Sequence, residues 1–153
     1  MVASDSLARW PFFAGLSEAT LERLASLATQ RNFSEGELIF RQGDAATELY
    51  LLLEGWVDLT IDADVQGIRR ELLMTLTKGE IFGWSAVVEP YIYTASAQCA
   101  TPVMALAFSG RDLLALFLSD AQLCYTLMNR ICRVIAGRLE TTRSQLVSLF
   151  VSR

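Results

Sequence analysis

Histidine is absent from the chain's 153 residues. Imidazole is therefore excluded as general base, nucleophile and metal ligand, which removes the commonest catalytic and zinc-binding chemistries. Cysteine is scarce: Cys99, Cys124 and Cys132 lie far apart, form no CxxC pair, and being three cannot all pair within one chain. They read as reduced, buried, small hydrophobes. No apolar run approaches the roughly 20 residues needed to cross a bilayer, so no membrane span is expected. The first ten residues, Met1 to Trp10, hold no basic region followed by an apolar core, so no secretory signal is read and the cytoplasm is the expected compartment. Basic charge is also short, with 13 Lys and Arg against 17 Asp and Glu for a net charge of −4. Nucleic-acid affinity begins with the neutralisation of phosphates, so no direct nucleic-acid partner is expected. Repeats and low-complexity linkers are missing too, which leaves residues 1–153 as a single domain.

What is present is a chain 52% apolar, enough to bury a core without disulfide staples. Leu21, Leu24, Ala25, Leu27 and Ala28 recur at helical spacing behind Ser17, a good N-cap with Glu18 in the first turn, so the N-terminal helix is placed within 11–30. Across 31–108 the pattern changes to short apolar runs separated by turn residues such as Gly36, Gly43-Asp44, Gly55, Gly67, Gly79 and Pro102. The predicted strands are 38–40, 49–53, 56–61, 71–76, 93–100 and 103–108. Polar Asp58, Thr60 and Asp62 alternate with Val57, Leu59 and Ile61, as a half-buried antiparallel strand requires. This spacing predicts a β-sandwich or barrel. From Ser109 the chain turns helical again across 109–150: Ser109-Gly-Arg-Asp112 fits a capping box, and Leu113, Leu114, Leu116 and Phe117 follow it. A long helix then runs from about Asp120 towards Phe150, interrupted only by Gly137. The fold class is α+β, mainly β.

The glycine-punctuated segments Pro11–Leu16, Gly36–Asp44, Leu49–Val57 and Gly79–Gly83 together resemble the cyclic nucleotide-binding domain family, including the sensor half of catabolite activator proteins, over roughly 12–145. The resemblance implies a double-stranded β-helix, or jelly-roll barrel, with one N-terminal helix and two C-terminal helices, the last long. It also implies a phosphate-binding cassette at 82–95, with Phe82, Gly83, Trp84, Ser85, Ala86, Tyr93, Thr94 and Ala95 as candidate ligand-binding residues. Two departures matter. Trp84 stands where the family has a glutamate that accepts the ribose hydroxyl, and an indole cannot accept a hydrogen bond. Tyr93 stands where the family has an arginine that faces the phosphate, or Ile92 if the register shifts by one. A charged hydrogen bond is worth roughly 1.5–3 kcal/mol, so the missing arginine alone costs about ten- to a hundredfold in affinity. Glu89 adds a negative charge to the same loop, and Arg69, Arg70 and Arg111 read as solvated surface charge. Trp84, Tyr91 and Tyr93 either fill the space of a nucleotide or line a pocket for a flatter, less anionic ligand.

The expectation is a non-enzymatic regulatory domain that senses a small molecule other than cAMP or cGMP, or that has become a partner-binding module. One alternative is true cAMP or cGMP recognition by a divergent cassette, with Ser85, Thr94 and the amides near Gly83 holding the nucleotide. Another is a cupin-like enzyme, against which the absence of histidine counts. No cofactor and no metal are expected. Leu127, Ile131, Val134, Ile135 and Leu139 form a stripe longer than a barrel of this size should cover, so a homodimer through the last helix is expected, and a charge at Ile131 or Ile135 should break it. The family's transcription factors continue into a DNA-reading helix-turn-helix. None is read within these 153 residues, which leaves two alternatives, a domain that works alone or one that works beside a separate effector protein.

Overall fold

The computed structural model describes residues 2–151. The elements run α1 (Ser4–Ala8), a 3-10 turn at Pro11–Phe13, α2 (Glu18–Leu27), β1 (Ala28–Phe33), β2 (Leu38–Phe40), β3 (Glu48–Glu54), β4 (Val57–Asp62), β5 (Arg70–Leu76) and β6 (Ile81–Phe82). A second 3-10 turn, Trp84–Val87, leads to β7 (Ser96–Cys99), β8 (Val103–Ser109), α3 (Gly110–Ser119) and α4 (Ala121–Val151). Side-chain oxygens set the helix starts by accepting otherwise orphaned amides. Ser17 Oγ takes the Thr20 N–H, Ser109 Oγ takes that of Asp112, and Asp120 Oδ1 takes that of Leu123 at 3.0 Å.

Two four-stranded antiparallel sheets, β1-β8-β3-β6 and β2-β7-β4-β5, face each other. The fold is mainly β with helices at both ends, as read from the sequence, but the sheets form an open sandwich and do not close into a barrel. The core has two layers. Tyr50, Leu52, Val57, Leu59, Leu76, Phe82, Ala97, Val103, Ala105 and Ala107 meet between the sheets. Leu49, Leu51, Leu106 and Phe108 point the other way, into a layer with Leu7, Phe12, Phe13, Leu24, Phe117, Leu127 and Ile131 from the N-terminal segment and the helices. Strand β8 is thus buried on both faces, which explains its unbroken apolar run.

Three expectations need correction. The helix predicted to reach residue 30 ends at Leu27, because Ala28–Phe33 pairs along its length with β8. Its Gln30, Arg31 and Asn32 are exposed and show no apolar alternation, so no strand was legible there. Only Cys99 is a buried cysteine; Cys124 is half-buried and Cys132 exposed. Finally, Leu127 and Ile131 are 2% and 0% exposed inside the chain's own core, where no second copy can reach them. Val134 and Ile135 pack partly against that core, and Leu139 is exposed.

Candidate ligand site

Strand β6 sets the start of the cassette by pairing Phe82 with Tyr50. The chain then bends at Gly83, whose φ is +79°. A Cβ there would lie 2.9 Å from the Glu48 carbonyl oxygen and 3.3 Å from the Tyr50 ring, so only glycine fits both the conformation and the space. After the Trp84–Val87 turn, the loop returns along residues 43–46. Ala46 N–H donates to Tyr91 O, Gly43 N–H to Tyr93 O, and Tyr93 N–H to Asp44 O, at 2.8–3.0 Å.

This pairing drives the Tyr93 side chain inward. Its ring stacks on Phe40 with centroids 3.8 Å apart and planes 10° from parallel. Its hydroxyl accepts from Glu48 N–H at 3.1 Å and donates to Glu48 O at 2.8 Å. Tyr50 stacks on Phe82 beside it and donates its hydroxyl to Glu48 Oε1. Burial pushes both phenols above their ordinary range, so both are neutral donors at any physiological pH.

The space left is a cavity of about 30 Å³. It is bounded by every predicted cassette residue except Ala86, and by Phe40, Leu59 and Arg138. Ala86 is turned into a small cluster with Ala46 and Tyr93. Glu89 and Thr94 are exposed, as are Arg69, which pairs with Glu71, and Arg111. None of Arg69, Arg70 and Arg111 lines the cavity.

Arg138 is the residue that the sequence reading missed. It descends from α4, with its guanidinium carbon 5.0 Å from the centre of the Trp84 ring. Its Nη2 donates to Ile81 O, while Nη1 is buried without a partner. Burial lowers its pKa to about 10, against a smaller opposing pull from the Glu80 carboxylate, so it remains a cation near neutral pH. The signal was available: Arg138 stands seven residues after Ile131 and four after Val134, on the stripe of α4 that faces the core. A charge at such a position needs a reason to be there.

The arrangement offers an aromatic floor, the backbone of a short turn and one cation brought in by a different element. A profile of the cyclic nucleotide-binding domain matches residues 30–120. The CRP-like cAMP-activated global transcriptional regulator of Mycobacterium tuberculosis is 27% identical over 145 residues, covering 95% of this chain and 62% of the regulator. The type II regulatory subunit of cAMP-dependent protein kinase from Drosophila melanogaster is 29% identical, covering 94% of this chain and 34% of the subunit. This chain therefore spans less than two thirds of either relative. The crystal structure of a Geobacter metallireducens protein superimposes with a TM-score of 0.81 at 30% identity, over 91% of this chain and 99% of that one.

Proposed function

The chain belongs to the cyclic nucleotide-binding domain family, and on that premise we propose that it is a non-enzymatic regulatory domain whose cassette no longer takes cAMP or cGMP, answering instead to another ligand or a protein partner. The observation that carries this reading is Tyr93. By the resemblance it stands where the family has a phosphate-binding arginine, or Ile92 does if the register shifts by one; its ring stacks on Phe40 and its hydroxyl both accepts from and donates to the Glu48 backbone. The remaining 30 Å³ accommodates about one water molecule, whereas small-molecule sites usually enclose about 300 Å³ or more. Opening the site would break two hydrogen bonds, at about 1 kcal/mol each, together with the Phe40 stack. Trp84 supplies no acceptor for a ribose hydroxyl.

A second reading, cyclic nucleotide binding by a rearranged cassette, is favoured by Arg138, which brings a cation to this cavity from α4. Calorimetric titration with cAMP and cGMP separates the two. No saturable heat up to about 1 mM is expected; a dissociation constant below about 10 μM, more than ~7 kcal/mol of binding, would overturn the first reading. The paired change Trp84→Glu with Tyr93→Arg is expected to restore measurable affinity.

The same reading makes α4 the reporting element, through a homodimer. Tyr125, Met128, Cys132, Ile135, Leu139 and Leu146 follow the three-and-four spacing of a coiled-coil seam, with position 142 taken by Thr142. Tyr125, Leu139 and Leu146 are 73%, 56% and 54% exposed in the single chain. This seam keeps Ile135 and Leu139 of the predicted dimer stripe. It leaves Leu127 and Ile131 to the core. Three free thiols fit the reducing cytoplasm as the site of action. An effector, fused or separate, would read the relative position of the paired helices.

A further inference from the structure

A second and larger hollow lies on the other side of Arg138. Between the Pro11–Phe13 turn, the chain at Gly79–Ile81 and one side of α4 is an open cleft of about 370 Å³, within the range of small-molecule sites. Three arginines line it: Arg130, Arg133 and Arg138. In a chain whose net charge is −4, this is a local inversion of sign, with Glu80 the one acidic group on the wall.

The three cations are placed by different means. Arg130 is held rigid, its Nη1 donating to Phe12 O at 2.7 Å and its Nη2 to Ala14 O at 2.6 Å. Arg138 forms the wall shared with the cassette cavity, with Nη2 on Ile81 O and Nη1 buried and unpartnered. The Arg133 side chain is exposed and makes no hydrogen bond or ion pair among the described residues. Glu80 offsets part of this charge: its Oε2 accepts the Thr77 N–H at 2.7 Å, and its carboxylate acts on Arg138 without a direct ion pair, which leaves an excess of positive charge on the wall. A buried guanidinium nitrogen without an acceptor is costly, and a fork of five donors matches the oxygens of a phosphoryl or carboxyl group. Phe12, Ile81 and Val134 give the same cleft an apolar side for a carbon skeleton.

We propose that this cleft is a binding site for a small polyanion, a compact molecule carrying two or more phosphoryl or carboxyl groups, gripped by Arg133 and Arg138 over the fixed charge of Arg130. The site lies apart from the coiled-coil seam, none of whose residues lines it. Occupancy would draw on the same guanidinium that rests over Trp84, so the cleft and the cassette are joined through one side chain.

The test is calorimetry at low ionic strength with pyrophosphate as the phosphoryl probe and citrate as the carboxyl probe. One site per chain is expected, with a dissociation constant below about 1 mM for at least one probe. Arg133→Ala, an exposed position whose loss leaves the core untouched, should weaken it about tenfold, and Arg138→Lys should weaken it while keeping the charge. Arg143→Ala, exposed on the same helix outside the cleft, should change nothing. Whichever probe binds identifies the anionic group. The proposal is overturned if neither probe binds with a dissociation constant below about 1 mM, if Arg133→Ala and Arg138→Lys both bind as the parent does, or if Arg143→Ala weakens binding as much as Arg133→Ala.

Discussion

The two halves of α4 make an instructive comparison. The first half begins at a cap, Asp120, which is also bound by Arg23 at 2.7 Å, and it buries Leu123, Leu127 and Ile131 to 4%, 2% and 0% exposure. The second half carries Leu139, Leu146 and Val147 at 56%, 54% and 59% exposure. Aliphatic content does not separate them, since the first is rich in leucine and isoleucine and the second in leucine and valine. What differs is the surface beneath: the outer face of the first sheet and the N-terminal turn lie under residues 123–131, and α4 runs on for about 30 Å beyond Ile131 at 1.5 Å per residue. An apolar stripe shows that a helix face seeks cover. It does not show what covers it. One helix here holds two stripes, one spent on the chain's own core and the other, shifted around the axis, only partly covered at Met128 and Ile135 and exposed at Tyr125, Leu139 and Leu146, where the proposed partner copy would pack.

The sharpest way to break this comparison is a charge in each half. Ile131→Glu places an uncompensated carboxylate in a fully buried site and is expected to cost roughly 4 kcal/mol or more, unfolding the domain rather than dissociating it. Circular dichroism with chemical denaturation checks this. A folded, monomeric variant would return Ile131 to the interface. Leu139→Glu should have the opposite outcome, an unchanged fold and loss of the dimer over a concentration series in light scattering. In the parent protein, mild oxidation is then expected to link Cys132 to its mate, since a coiled-coil seam would bring the two within the 5.5–6 Å Cα separation of a disulfide. Cys132→Ser should abolish the crosslink, and failure of the parent to form one would break the parallel seam.

The smallest effect tests the pinned end. The carboxyl of Asp120 is held below the usual carboxylate range, first by the Leu123 N–H and then by Arg23. A depressed acid stabilises the fold above its unfolded pKa, and that contribution disappears as pH falls through the folded value. Asp120→Asn should therefore melt slightly below the parent at pH 7, with the gap narrowing below about pH 4 and closing in stronger acid. Thermal denaturation across pH checks it. A gap that does not change with pH would assign the role of Asp120 to hydrogen-bond geometry alone.

By itself the sequence determined whatever rests on neighbours along the chain. Ser17 and Ser109 cap the helices where their spacing places them, the half-buried β4 follows its alternation, and Gly83 opens the cassette because the bend there requires positive φ. The aromatic identities of Trp84 and Tyr93 were likewise legible, and the resemblance alone reads them as departures from the family's cassette. Tertiary structure alone decided what rests on distant partners. Polar β1 became a strand because β8, some 75 residues later, offered it a ladder. Tyr93 closed the cassette cavity because the Glu48 backbone, 45 residues earlier, held its hydroxyl. Arg138 reached that cavity because α4 packs across Ile81, 57 residues away. Periodicity reports which side chains share a face, whereas the surface that meets that face is set by long-range packing, and a helix cannot encode that in its own spacing.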